Sequence, residues 1–285
     1  MSDFLLGKDV YSQGKKSLKS LCKHQQTLAN PIVPIFLIID IKINLVRNKD
    51  YIPRIIPLTH KLDEPGNKSI VLITKDPSTA YRNTLTAKDC PTEDTFNQIL
   101  SLTKLKSFAK DPRKLTRLFK ENDIIVADNR VHKFLPNILG ATFYVKNKKV
   151  PFMVQMAKPS ATAQLVKSKK SNKLKDERCD PKYVYKQIES IVGNTSYIPS
   201  DNGTCLSFKI GYTNWEESDL LANINDIISY MTDAKYLPVG GTLKNVSNIG
   251  SVHVKTGESV SLPVVTASAE EATGDDQDDD SDFYF

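Results

Sequence analysis

The sequence predicts an α/β protein in two parts: an α+β base domain, split along the chain by an inserted three-layer, Rossmann-like α/β lobe. Three observations carry that expectation. The middle of the chain alternates short, wholly apolar strands with helices, the pattern of a parallel sheet covered on both faces. The outer segments pair alternating strands with amphipathic helices, the pattern of a sheet buried on one face. With 285 residues, 40% of them hydrophobic, the chain can build one large core or two modest ones. The expected boundaries are 1–66 plus 179–266 for the base domain, 67–157 for the insert, 158–178 for a basic linker, and 267–285 for a disordered acidic tail. Chain crossings near 66 and 158–178 would form a hinge.

Each element has its own local reason. Residues 8–28 read as a helix with Val10, Gly14, Leu18, Leu21 and Leu28 on one face, ended by Asn30-Pro31. A β-rich run follows over 32–46. Pro53 and Pro57 forbid a helix over 51–60, which reads as an extended, partly paired strand. After a turn at 63–67 comes a buried strand, 69–74, then Lys75-Asp76-Pro77 and a helix. Further helices are expected over 92–102, 112–120 and 130–139, the last ended by Gly140, with strands at 123–127 and 142–145. Asp180-Pro181 restarts a helix, Asp as N-cap and Pro at the first position. A strand over 205–211 precedes a helix over 215–232 with Leu220, Leu221, Ile224, Ile227, Ile228 and Met231 inward. Gly240-Gly241 breaks the chain before strands at 250–255 and 259–265.

Charge narrows the function. The net charge is +6, but every Lys and Arg lies at or before Lys255, while the last sixteen residues hold eight acids. Without those eight, 39 bases face the remaining 25 acids. A basic body with an acidic tail points to a polyanionic partner, most simply nucleic acid; solubility charge is the plain alternative. No apolar run approaches the ~20 residues of a spanning helix, and no secretory signal opens the chain. Cys22, Cys90, Cys179 and Cys205 form no CxxC pair, so an intracellular protein with reduced thiols and no zinc ribbon is expected.

No catalytic constellation is present. Gly7 and Gly14 are spaced wrongly for a P-loop, and Lys16 stands where Ser or Thr is needed. The strand at 70–74 is followed by Lys75-Asp76-Pro77, not by GxGxxG. His24, His60, His132 and His253 make no metal motif, and Asp123 and Asp128 read as a turn residue and a helix cap. The expectation is a non-enzyme with no cofactor, no metal and no small-molecule substrate. Bases do cluster: Lys104, Lys106, Lys110, Arg113, Lys114, Arg117 and Lys120, then Lys146-Asn-Lys-Lys149, then Lys167, Lys169 and Lys170. Such patches hold phosphates as point charges and read little sequence. The cluster at 104–120 reads equally well as a solvated helix face. Aromatic stacking platforms are absent from the sequence pattern, which favours folded RNA or duplex DNA over a single strand.

These residues carry a resemblance. The run Asn48-Lys-Asp-Tyr-Ile-Pro-Arg-Ile-Ile-Pro-Leu-Thr-His60 resembles the segment before the insert in the ribosomal protein L1 family. Ile70-Val-Leu-Ile-Thr-Lys-Asp-Pro77, Val126-Ala-Asp-Asn-Arg-Val-His132 and Leu135-Pro-Asn-Ile-Leu-Gly140 are similar to its inserted lobe. Asn194-Thr-Ser-Tyr-Ile-Pro199, Pro238-Val-Gly-Gly241 and Val252-His-Val-Lys-Thr-Gly-Glu-Ser-Val-Ser-Leu-Pro263 resemble its returning half. The likeness covers about 8–265 and is greatest to the fungal L1-domain assembly factor of the small-subunit processome, the 90S pre-ribosome. It implies the ribosomal L1 two-domain fold, with structured pre-rRNA of the small subunit bound mainly by the base domain. It also implies nucleolar localisation, and other assembly factors and ribosomal proteins as partners.

One departure stands out. Where ribosomal L1 proteins carry Thr-Met-Gly near the final strand, this chain has Gly257-Glu258-Ser259, which weighs against stalk-type binding. The RNA-binding candidates are Arg54 and Lys61 beside the hinge, Lys244 before the last strands, Lys255, Thr256 and Ser259, and the linker lysines 167, 169 and 170. The insert would add electrostatic or protein contacts. Rival readings are a large-subunit precursor factor or true ribosomal L1, and a protein-interaction module in a nuclear complex. The tail reads as solubilising, as an electrostatic decoy, or as a docking peptide using Phe283-Tyr284-Phe285.

Overall fold

A computed structural model describes residues 4–46, 51–146, 149–160, 163, 165–167, 174–198, 202–236, 243 and 245–266. In chain order, helix α1 (Lys8–Gln26) leads to strands β1 (Pro34–Val46) and β2 (Arg54–Ile56). The middle holds β3 (Ile70–Thr74), α2 (Ser78–Leu85), β4 (Gln98–Ser101), α3 (Leu102–Ala109), α4 (Pro112–Glu121), β5 (Ile124–Asp128), α5 (Asn129–His132), α6 (Leu135–Ala141) and β6 (Phe152–Val154). The return comprises β7 (Val166–Lys167), β8 (Leu174–Lys175), α7 (Pro181–Gly193), β9 (Thr195–Tyr197), β10 (Asn202–Tyr212), α8 (Glu217–Thr232), β11 (Ile249–Lys255) and β12 (Leu262–Val265).

The first strand and the last three meet in an antiparallel sheet of order β10-β1-β11-β12. Alternation decides its faces. Ile35, Leu37, Ile39 and Ile41 of β1, Leu206, Phe208 and Ile210 of β10, and Val252 and Val254 of β11 turn inward. Helices α1 and α8 cover that face with Leu18, Leu21, Leu220, Leu221, Ile224, Ile227, Ile228 and Met231, all buried. Each such side chain contributes roughly 1.5–3 kcal/mol. The two helices approach closely because α1 carries a glycine where they touch. A Cβ on Gly14 would stand 3.0 Å from Leu221 and 3.2 Å from Val264.

The middle of the chain builds a parallel sheet of order β4-β3-β5-β6. Its strands are mostly apolar because both faces are covered. Ile70, Leu72 and Val126 meet α2 and α7 through Tyr81, Leu85, Val184 and Ile188. Val71, Ile73, Ile125 and Ala127 meet Leu105 of α3, Leu118 of α4, and Leu135 and Leu139 of α6. Helix α7 starts after Asp180, whose carboxylate accepts from the backbone N–H of Lys182 and Tyr183. It lies beyond the boundary expected at 179, yet its apolar face joins the core of the parallel sheet.

The ribbon β2–β9 stands between the units. Ile56 and Tyr197 enter the antiparallel core, while Ile55 packs on one face of the parallel sheet and Ile198 on the other. The crossing after β2 is pinned. Leu58 N–H donates to Asn194 Oδ1 at 3.0 Å, His60 N–H to Asn223 Oδ1 at 3.0 Å, and Leu62 N–H to the Gly193 carbonyl at 2.9 Å.

Four local expectations are corrected. Residues 92–102 are not one helix: a run of turns leads into β4, whose register beside β3 sets Ile99 against Leu72. Residues 142–145 are not a strand but a wide helical turn, 142–146, which buries Phe143 and Tyr144; the fourth parallel strand is β6. Residues 130–139 form parts of two short helices, and Gly140 has a φ of 61°, open to glycine at little cost. Leu28 lies outside the core, 47% exposed, because α1 ends two residues earlier. The linker expected at 158–178 also carries a short pairing, β7 with β8. Gly240-Gly241 and the acidic tail lie outside the described residues.

Candidate nucleic-acid interface

Among the described residues, no helix covers the second face of the antiparallel sheet. Cross-strand register places Phe36 between Lys209 and Lys255, Ile38 between Ser207 and His253, and Asp40 between Cys205 and Ser251. Phe36 and Ile38 are half-buried and join none of the three hydrophobic cores. The face is thus a pleated surface with an apolar centre line, hydroxyls beside it, and lysines flanking one end. The sequence pattern had suggested no aromatic platform; register supplies a single aromatic, Phe36, in the setting such a platform needs. The alternation of β1 was readable, but which of its faces lies open depends on α1 and α8.

Its two lysines differ. Lys209 Nζ donates to Tyr212 Oη at 2.7 Å and lies 4.1 Å above that ring. The Tyr212 hydroxyl donates in turn to Asp63 Oδ2 at 2.7 Å, and Lys68 Nζ sits 3.0 Å from the same oxygen. Burial lowers the Lys209 pKa, and burial followed by Asp63 raises that of Tyr212. Burial also pushes the Asp63 carboxyl up, but the Tyr212 hydroxyl and the Lys68 ammonium outweigh it and hold it below 3.8. This chain of contacts spends Lys209 on tying β10 to the crossing at 63–68. The side chain of Lys255, at the end of β11, has no hydrogen bond or ion pair among the described residues and is free to meet a phosphate.

Three of the predicted contacts meet at the turn after β11. There Thr256 N–H donates to Ser259 Oγ at 2.9 Å, and Ser259 N–H donates to Thr256 Oγ1 at 3.1 Å. Thr256 is 2% exposed, so its hydroxyl locks the turn instead of reaching a ligand. Ser259 Oγ also donates to the Val260 carbonyl at 3.0 Å. The pair therefore holds Lys255, Gly257 and Glu258 in place, a positioning role that the T-x-x-S spacing itself could have signalled.

The remaining candidates are dispersed. Arg54 pairs across the ribbon with Tyr197 and lies within the field of Tyr230. Lys61 Nζ donates to the Leu58 carbonyl at 2.7 Å and to Asn194 Oδ1 at 2.8 Å, bracing the crossing. It borders a cleft of about 620 Å³ whose lining mixes Lys61 and Lys186 with Asp63, Glu64 and Glu189, a poor cradle for phosphate. Lys167 pairs with Leu174 in the β7–β8 ribbon. Lys169, Lys170 and Lys244 lie outside the described residues.

The crevice where parallel α/β sheets hold nucleotides is filled from within. Beyond the carboxyl ends of β3 and β5, Arg130 clasps the buried Asp128, its Nε 3.0 and 2.9 Å from the two carboxylate oxygens. Arg130 Nη1 donates to the Asp176 carbonyl at 2.8 Å, and Lys75 Nζ pairs with Glu177 at 2.7 Å. The returning chain is thereby fastened over the site. Burial pushes the thiols of Cys22 and Cys179 up to about 11, which keeps them protonated and unreactive at neutral pH. Among the described residues no group of three or more His, Cys, Asp and Glu is placed to hold a metal ion. No helix among them is long and apolar enough to cross a membrane.

Comparison with known proteins bears on this geometry. The family model described as ribosomal protein L1p/L10e matches residues 12–260. Ribosome biogenesis protein UTP30 of Saccharomyces cerevisiae is 43% identical over 263 residues, covering 90% of this chain and 91% of the yeast protein. Ribosomal L1 domain-containing protein 1 of Mus musculus is 24% identical over 174 residues, covering 61% of this chain and 32% of the mouse protein.

Proposed function

The chain belongs to the ribosomal protein L1p/L10e family, and from that premise we propose that it is a non-enzymatic RNA-binding factor of ribosome biogenesis. The likeness to the yeast biogenesis protein, spread over nearly the whole of both chains, supports the biogenesis role. The finer reading is that it binds structured pre-rRNA of the small subunit within the small-subunit processome, or 90S pre-ribosome. There it assists pre-18S rRNA maturation, in the nucleolus, beside other assembly factors and ribosomal proteins.

The observation that carries RNA binding is the open antiparallel face. It offers one aromatic, flanking hydroxyls and an unpaired Lys255 to a ligand of phosphates and bases. The domain assignment belongs to the same proposal. A split base domain (1–66 plus 179–266) presents this face, and the insert (67–157), joined by α7 through packing, stands beside it.

In-cell UV crosslinking with sequencing of bound RNA tests the reading. Reads should gather on small-subunit precursor rRNA, and a Phe36→Ala/Lys255→Glu variant should lose about tenfold or more of that enrichment, the scale of one stacked base. Enrichment on large-subunit precursor would move the protein to that pathway. Absence of enrichment would reject RNA binding in favour of a protein-interaction module.

A further inference from the structure

We propose that the outer face of α4, continued by Lys106 and Lys110, is a second RNA contact. It takes the phosphate backbone of a duplex segment other than the one on the antiparallel sheet, so that the protein bridges two segments. The inference rests on the RNA-binding reading above, and its test separates the two.

Residues 104–120 hold seven bases and one acid, Asp111. The fold sorts them by face. Leu105 and Leu118 are buried against the parallel sheet, with Leu115 and Phe119 packed beside them. All seven bases are left exposed. Arg113, Arg117 and Lys120 recur at helical spacing and line one shallow groove with Thr116 between them. At 1.5 Å per residue the three span roughly 10 Å. That is the run of about three phosphates on one strand of a duplex, at ~3.4 Å each along the axis.

The chemistry of the groove selects the occupant. Guanidinium and ammonium groups are donors without acceptors, and phosphate oxygens are acceptors without donors. Glu121 is the one carboxylate in the lining. It is already engaged by Arg117 Nε at 2.6 Å, and Lys114 Nζ lies 3.8 Å from Asp111. Both pairs are exposed, so a phosphate can displace them at little cost. Lys106, Lys110, Arg113 and Lys120 have no ion pair among the described residues. The carboxyl end of the helix, which would repel an anion, is closed: Lys149 Nζ donates to the carbonyls of Phe119 at 2.6 Å and Asn122 at 2.8 Å. Nothing here reads a base edge, so the contact should serve any duplex RNA.

The test uses the full chain and a two-turn RNA duplex of arbitrary sequence, titrated across a salt series. Replacing Arg113, Arg117 and Lys120 by Gln should lower low-salt affinity roughly 10- to 100-fold and reduce the slope of log K against log salt by about 2–3. The melting temperature should not move. An Arg113→Lys/Arg117→Lys variant, which keeps the charge, should keep the slope. Two duplexes should bind per chain, and Phe36→Ala/Lys255→Glu should weaken one of these binding events while the Gln variant weakens the other. An unchanged slope in the Gln variant, with the Phe36/Lys255 variant weakened, overturns the second contact and leaves the first. No effect of either variant removes the RNA reading itself. If the Gln variant instead loses only binding to an acidic peptide of sequence 267–285, the face belongs to the chain's own tail and the proposal falls.

Discussion

The two sheets of this protein bury their strands in opposite ways. The parallel sheet is closed on both faces, by α2 and α7 on one and by α3, α4 and α6 on the other, and even its crevice is filled by Arg130 and the returning chain. What it can offer a partner is the outside of its helices. The antiparallel sheet is closed on one face only and offers backbone-ordered strands directly, with Phe36, Ile38, Lys255 and their neighbours set by register. A ligand on the first meets exposed lysine and arginine tips; a ligand on the second meets side chains whose spacing the ladder fixes. On the proposed RNA-binding reading, that difference gives shape recognition to the antiparallel unit and electrostatic grip to the parallel one.

The contrast can be broken from either side. The largest effect is expected inside the parallel unit. Arg130→Met strands Asp128, 1% exposed, without its cation, which should cost about 3–5 kcal/mol in a denaturation experiment. The double variant Arg130→Met/Asp128→Leu should recover most of it, and failure to recover would mean the pair is not the source. Next comes the antiparallel unit. A Cβ on Gly211 would lie 2.6 Å from Leu220 and 2.8 Å from Trp215, so Gly211→Ala should cost about 1–3 kcal/mol by overpacking. Gly66→Ala, with nothing within 4 Å, serves as the neutral control; equal melting temperatures for the two would contradict the packing.

The smallest effect concerns the tie between the units. Asp63 has a depressed carboxyl pKa in the fold, so its stabilising share is complete above the ordinary value of 3.8 and is lost as pH falls through the lower folded value. Asp63→Asn should be less stable than the parent at neutral pH by under about 1 kcal/mol, since the group is partly solvated. The gap should close in acid. A gap that widened in acid would reverse the sign and sink the assignment.

Where local pattern and tertiary packing agreed, the sequence was readable. The six inward positions of α8, the Asp180 cap and the buried strands at 70–74 and 124–128 all follow from periodicity and capping chemistry. Where packing overrode pattern, it was not. Phe96, Ile99 and Leu100 fall at helical spacing, and only the register beside β3 makes residues 98–101 a strand. Thr142-Phe-Tyr-Val145 has strong β preference, yet it follows the kink at Gly140 directly and buries Phe143 in a wide turn. The site shows the same limit. Lys255 is nameable as a cation near the last strands; the T-x-x-S spacing signals the turn that follows, but only the closed turn shows the Thr256 hydroxyl buried within it.

The central position of β1 governs the order in which this chain can become functional. Phe36 pairs with Lys209 on one side and Lys255 on the other, both encoded after the whole parallel unit. During synthesis β1 leaves the ribosome with neither neighbour available, while β3 to β6 find one another nearby at low loop-closure cost. The parallel unit should therefore fold first, and β1 waits as an unpaired strand open to wrong partners. The open face of the sheet is completed only when β11 docks beside β1. On the proposed reading, a product truncated before β11 would keep the basic face of α4 but lack the sheet contact.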